Sequence, residues 1–211
     1  MKIKKIVYTI FLSLFFFNAI AQKALLAKAE KEYNDYAYAD AIAIYEKLAS
    51  KGFEDEKMFQ RLGNAYYFNA ELPKAASWYD KLFALNAKQD PEYLYRYSQS
   101  LKSIGDYAKP DKILDDFNKK TNTESRGILF ENNKIYLEQI KLNSGGFEVA
   151  GANINSESSD FGTAFFNNNL VFSSARKIGK QEGKTFKWTN KSFTNLYVAS
   201  IKADGNLHSP V

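Results

Sequence analysis

The chain has 211 residues, 45% of them hydrophobic, with 17 Phe, 14 Tyr and no cysteine. That supplies an aromatic core and excludes both a disulfide framework and a thiolate metal site. The formal net charge is +5, but Lys2, Lys4 and Lys5 account for three of those charges; the remaining about +2, without a basic block, argues against a nucleic-acid binder.

Residues 1–21 have the pattern of a secretory signal peptide. Those three lysines precede an apolar run from Ile6 to Phe17, and Ala19-Ile20-Ala21 forms a small-x-small cleavage site before Gln22. The apolar run is short of the roughly 20 residues that a spanning helix needs. A lipoprotein would need a cysteine just after it. The expectation is export, with release as a soluble protein.

From Gln22 onward one helical-pair pattern recurs at a spacing of about 34 residues, the period of a tetratricopeptide array. The middle copy reads Phe59, Leu62, Gly63, Tyr66, Ala75, Tyr79 and Leu82. The copy before it has Ala29, Tyr38, Ala41, Tyr45 and Leu48, and the copy after it Leu94, Tyr97, Ser98, Leu101, Gly105, Tyr107, Leu114 and Phe117. Pro110 replaces the usual alanine in the third copy, in the first turn of a helix, where its missing N–H leaves no bond unmade. The segment Glu124 to Lys141, with Ile128, Leu129, Ile135, Tyr136 and Ile140 at near-helical spacing, is expected to cap the stack.

In such an array the first helix of each pair lines the inner surface, and fixed positions on it point into a groove. That register predicts a partner-binding face made of Lys57, Gln60, Asn64 and Tyr67 from the middle copy and Glu92, Tyr95, Gln99 and Lys102 from the third, with Glu30 and Tyr33 from the first. Amides, mixed charges and tyrosines suit a groove that holds a peptide or a protein edge, although a solvated face has the same composition.

Ser144-Gly145-Gly146 ends the helical pattern, and the chain turns rich in Asn, Ser, Gly, Phe and Val. Four strands are predicted: Phe147 to Ala150, Gly162 to Phe166, Leu170 to Ser174 and Asn195 to Ile201. Asn167-Asn168-Asn169 is predicted to be a hairpin turn, because asparagine tolerates positive φ. A second turn is expected at Ala203-Asp204-Gly205-Asn206.

Asn155-Ser156, Ser159-Asp160-Phe161-Gly162 and Leu170-Val171-Phe172-Ser173-Ser174-Ala175-Arg176, continued by Trp188, Asn190, Phe193, Leu196, Tyr197 and Val198, resemble the first blade of the WD-like, TolB-type propeller of Bacteroidota OmpA-like envelope proteins. In that family a signal peptide, tetratricopeptide repeats, the propeller, a carboxypeptidase-regulatory-like domain and an OmpA-like peptidoglycan-binding domain follow in order. Some members belong to type 9 secretion and gliding-motility machinery. The resemblance implies an α+β protein with separate domains: a signal peptide (1–21), an all-α tetratricopeptide solenoid of three repeats and a capping helix (22–142), and the first part of an all-β propeller (143–211). It also implies that Trp188 and Phe193 pack a long inter-strand loop onto the blade while Lys177, Lys180, Lys184, Lys187 and Lys191 face water. A basic aromatic contact for an anionic surface is the other reading of that loop.

No catalytic pattern accompanies these elements. His208 is the single histidine, and no nucleophile elbow, Walker loop or dinucleotide fingerprint is present. Asp115 and Asp116 fit a solvated helix face, and Ser159-Asp160 fits a turn that bonds its own backbone. The expectation is a non-enzymatic scaffold of the periplasm and outer membrane, without cofactor or metal, that docks protein partners and reaches peptidoglycan only through a domain outside this sequence. The alternatives are a targeting module of an exported enzyme and a propeller-based glycan or peptide receptor.

Overall fold

The computed structural model describes residues 22–121, 124–176 and 184–211. The expected signal segment, Lys177 and Lys180 lie outside the described residues. Eight helices and a small antiparallel sheet are described, and the chain divides into two units between Lys134 and Ile135.

The helices are α1 (22–34), α2 (Tyr38–Ala49), α3 (Glu56–Phe68), α4 (Leu72–Leu85), α5 (Pro91–Lys102), α6 (Ala108–Thr121), α7 (Ser125–Asn132) and α8 (Tyr136–Leu142). Local chemistry sets their starts. Asp55 caps α3 by accepting from the Met58 N–H at 2.7 Å. Asp90 accepts from the Glu92 N–H at 2.9 Å, and Pro91 occupies the first position of α5, where no N–H is needed.

The ends of α1, α3 and α5 share one closure. Tyr36, Ala70 and Gly105 all take positive φ, at 58°, 58° and 79°. The next N–H then reaches back five residues: Ala37 to the Glu32 carbonyl at 2.8 Å, Glu71 to Tyr66 at 2.9 Å and Asp106 to Leu101 at 3.3 Å. This is a left-handed helix stop that satisfies carbonyls otherwise orphaned. Its recurrence at about 34-residue spacing makes α1–α2, α3–α4 and α5–α6 three copies of one helix pair.

The buried residues follow the same register. Ala29, Gly63 and Ser98 occupy the small position, Ala41, Ala75 and Pro110 its counterpart on the second helix, and Leu48, Leu82 and Phe117 the end of that helix; all nine are buried. From α2 to α7 each helix packs on the next, and α3 also meets α5. On α4, α5 and α6, Asp80 accepts hydrogen bonds from Tyr97 and Lys109. A polar latch fixes the 86–90 connection, with the Glu56 carboxylate accepting from Asn86 at 3.0 Å and Gln89 at 2.9 Å.

The expected capping segment is two helices, broken at 133–135. Gly127 is the one buried residue of α7, and α8 buries none. Ile128, Leu129, Ile135 and Ile140 are 44 to 69% exposed, so their near-helical spacing does not form a buried stripe. Tyr107 is also exposed, at 39%.

The second unit holds β1 (Asp160–Phe166), β2 (Asn169–Ser174) and β5 (Asn195–Ser200) in the order β1-β2-β5, all antiparallel, and a separate hairpin of β3 (Thr185–Phe186) and β4 (Lys191–Ser192). Three predicted strands are present, whereas Phe147 to Ala150 is not a strand; Phe147 and Val149 are 91% exposed, and no strand among the described residues pairs their backbone. Asn167 supplies the positive φ, 53°, of the β1–β2 turn. Gly162, at φ 66°, sits where the register slips between Phe161 and Ala164, a bulge that calls for glycine. Ile154, Phe172, Tyr197 and Ala199 form the core, with Leu170 and Leu207 against it. Residues 207–211 run antiparallel along β5, with Val198 and Val211 exchanging two 3.0 Å bonds. No propeller is seen among the described residues.

Candidate functional site

The face predicted from the repeat register belongs to α1, α3 and α5; α7 extends it, and three arginines, on α3, α5 and α7, organise it. Each arginine reaches back onto the preceding helix of this set. Arg61 of α3 lies over the Tyr33 ring of α1 at 4.7 Å and donates to Asn34 at 3.1 Å. Arg96 of α5 lies 4.8 Å from the Phe68 ring and 5.9 Å from that of Tyr67, both on α3, and donates to the Asn64 Oδ1 at 2.7 Å. Arg126 of α7 lies 4.2 Å over Tyr95 of α5 and donates to Glu92 at 2.8 Å. A guanidinium held over a ring gains cation–π attraction while its in-plane N–H groups stay directed at acceptors.

The predicted residues divide according to what they do in this ladder. Tyr33, Tyr67 and Tyr95 are half-buried and lie beside the arginines. Burial pushes the Tyr33 and Tyr67 hydroxyls above the ordinary tyrosine value and keeps both neutral. Glu92 links two rungs, because Arg96 donates to one carboxylate oxygen at 3.1 Å and Arg126 to the other. Asn64 is buried at 7% exposure, and its Oδ1 accepts from Tyr79 as well as Arg96. It holds the face together instead of lining a groove. Gln60 donates to Gln89 at 2.8 Å and so belongs to the connection latch.

Lys57 is exposed and pairs with Glu30 across α1 and α3 at 2.9 Å. Lys102 pairs with Asp111 at 3.1 Å and lies 5.1 Å from the Phe130 ring. Gln99 is half-buried on α5. The sequence reading missed Arg61, Arg96 and Arg126. Arg61 and Arg96 occupy equivalent positions about 35 residues apart, the signal by which the repeat register could have found them. Arg61 differs from the other two: among the described residues no carboxylate pairs with it, and it meets Asn34, the Glu30 carbonyl at 3.4 Å and the Tyr45 hydroxyl.

In the sheet unit, Asp160 anchors a second polar cluster. Its carboxylate accepts from Ser156 N–H at 2.7 Å, Ser174 Oγ at 2.5 Å and Arg176 Nη2 at 2.8 Å. Arg176 also donates to the Ile154 carbonyl at 2.9 Å and lies 5.1 Å from the Phe172 ring. Burial opposes ionisation of Asp160, but the bonds from Arg176, Ser174 and Ser156 outweigh it and hold the carboxyl well below the usual range. With every oxygen engaged, this cluster ties the turn to the strands. Beside it, an open cleft of about 430 Å³ is lined by Glu157, Ser158, Thr185, Asn190 and Ser192, among others.

His208 is exposed, and its N–H serves the backbone of Ser200. Asp115 and Asp116 pair with Lys134 and Lys119. Among the described residues no group of three or more His, Cys, Asp or Glu side chains is arranged to hold a metal, and no helix is long and apolar enough to cross a membrane. Compared with known proteins, the chain matches no family model and no curated protein in sequence.

Proposed function

We propose that the helical unit is a tetratricopeptide-type array whose α1, α3, α5 and α7 face docks a protein partner, and that the chain is a non-enzymatic scaffold of the cell envelope. The observation that carries this reading is the repeated stacking of Arg61, Arg96 and Arg126 on aromatic rings of the preceding first helix. Tyrosines and arginines are enriched among the side chains that dominate protein interfaces; a tyrosine gives large contact area with little entropy to lose, and an arginine already stacked on a ring has part of its freedom spent. Arg61, without a carboxylate of its own, is the position at which an acidic or carbonyl-bearing segment of the partner fits.

On this reading the three-stranded sheet is the opening blade of a propeller, and the protein works in the periplasm at the outer membrane, within a type 9 secretion or gliding assembly tied to peptidoglycan. The resemblance of Ser159-Asp160-Phe161-Gly162 and Phe172-Ser173-Ser174-Ala175-Arg176 to that family supports it. A photo-crosslinker placed at Gln99 of the face and, separately, at exposed Ser77 of α4 tests docking. Adducts formed from Gln99 alone support it, and equal adducts from both positions count against it. The cleft beside Glu157, where Ser158, Thr185, Asn190 and Ser192 offer hydrogen-bonding groups, favours a second reading, a receptor for a small ligand such as a glycan.

A further inference from the structure

The β3–β4 hairpin carries a surface that neither the helical face nor the sheet core uses. Phe186 and Trp188 stack nearly parallel, 6.4 Å between centroids at 15°, and Phe193 lies 5.9 Å from Phe186. Despite this mutual packing, Phe186 and Phe193 remain 46% and 59% exposed. The tip that presents them is held in shape. The N–H groups of Thr189 and Asn190 both bond the Phe186 carbonyl, and Asn190 takes positive φ. Lysines surround the rings. Lys184, Lys187 and Lys191 are all exposed, no described carboxylate forms an ion pair with them, and residues 184–193 contain no acid. Lys191 is the cross-strand partner of Phe186, so cation and ring share one side of the hairpin.

We infer that this hairpin is a contact site for an anionic lipid surface, with the three rings seated among the headgroups and acyl chains and the lysines at the phosphates. Three features select a bilayer over other anionic partners. Protein interfaces are poor in lysine, whereas a lysine rim around Trp and Phe is the composition of membrane interfaces. Rings that cover one another form a continuous apolar patch that suits acyl chains, whereas a single-strand binder needs faces free to stack on bases. Lysine stems also extend past the rings while their ammonium groups stay in the aqueous layer. Each lysine near an anionic leaflet strengthens binding roughly five-fold, so the three together amount to roughly a hundred-fold.

The chain has two tryptophans, so Trp78→Phe leaves Trp188 as a reporter of this one hairpin. Its emission is followed on adding vesicles of phosphatidylglycerol and phosphatidylcholine in equal parts, vesicles of phosphatidylcholine alone, and acyl-brominated versions of both. This local signal is used so that any partitioning of the apolar segment 6–17 is not read as binding by the hairpin. The expected result is a blue shift and bromine quenching with the anionic vesicles only, weakened about a hundred-fold by Lys184→Gln/Lys187→Gln/Lys191→Gln. Phe186→Ala/Phe193→Ala should also weaken it, with circular dichroism unchanged. An unmoved Trp188 signal, equal shifts with the neutral vesicles, or a shift produced by a single-stranded oligonucleotide or a soluble sulfated glycan but not by vesicles would each overturn the proposal.

Discussion

A Cβ atom placed on Gly63 would lie 2.4 Å from Cε1 of Tyr79, a separation that packed carbon atoms do not adopt. Tyr79 is itself fully buried, and its hydroxyl is tied to Asn64 at 2.8 Å, so its ring has little room to retreat. Gly63→Leu should therefore separate α3 from α4 at a cost of roughly 1 to 3 kcal/mol or more, and Gly63→Ala a smaller part of that. Chemical denaturation followed by circular dichroism measures it. A leucine variant with the wild-type midpoint would refute the packing.

Ala70 takes the left-handed conformation that Gly105 takes in the next copy. A residue with a side chain is strained there, while glycine is not. Ala70→Gly should stabilise the helical unit by about 0.5 to 1 kcal/mol, net of the greater freedom glycine gives the unfolded chain. Gly105→Ala should shift stability the opposite way. Thermal melts of the two variants check the pair, and shifts in the same direction would contradict it.

Asp160 is held below the ordinary carboxyl range by Arg176, Ser174 and Ser156. An acid with a lower pKa folded than unfolded binds protons more readily when unfolded, so its contribution is complete above about pH 4 to 5 and fades as pH falls through the folded value. Wild-type protein should lose stability between about pH 5 and pH 2 more steeply than Asp160→Asn. The amide variant should already be less stable at neutral pH, because Arg176 loses its charge partner. Fluorescence melts across that range report both, and parallel pH profiles would remove Asp160 from the account.

Tyr67 and Tyr95 both lie beside arginines on the proposed docking face. Replacing both with alanine should weaken partner capture from envelope extract by at least about 2 kcal/mol if either is a hot spot. Tyr95 also packs on Phe117 at 5.6 Å, so helicity is checked alongside, and Tyr95→Phe, which keeps the ring, should retain more binding. Capture of the same partners at the same strength by the double variant would move the binding surface elsewhere.

The sequence alone determined the helix-pair register, because each of its signals is local. A small residue at Ala29, Gly63 and Ser98 and apolar residues at helical spacing repeat within one pair and need no knowledge of the neighbouring one, whereas the left-handed turns at Tyr36 and Ala70 carry no such signal in their residue type. Strands β1, β2 and β5 were legible for the same reason, as apolar runs between turn residues. Phe147 to Ala150 has the same composition but no pairing strand, and pairing cannot be read from a segment by itself. Only the tertiary structure decided what the docking face contains. Whether Asn64 is offered to solvent or buried under Arg96, and whether Glu92 is free or shared by Arg96 and Arg126, depends on side chains roughly 30 residues apart meeting across three helices. Periodicity places a residue on a face, but only packing between neighbouring pairs decides whether that residue already has a partner.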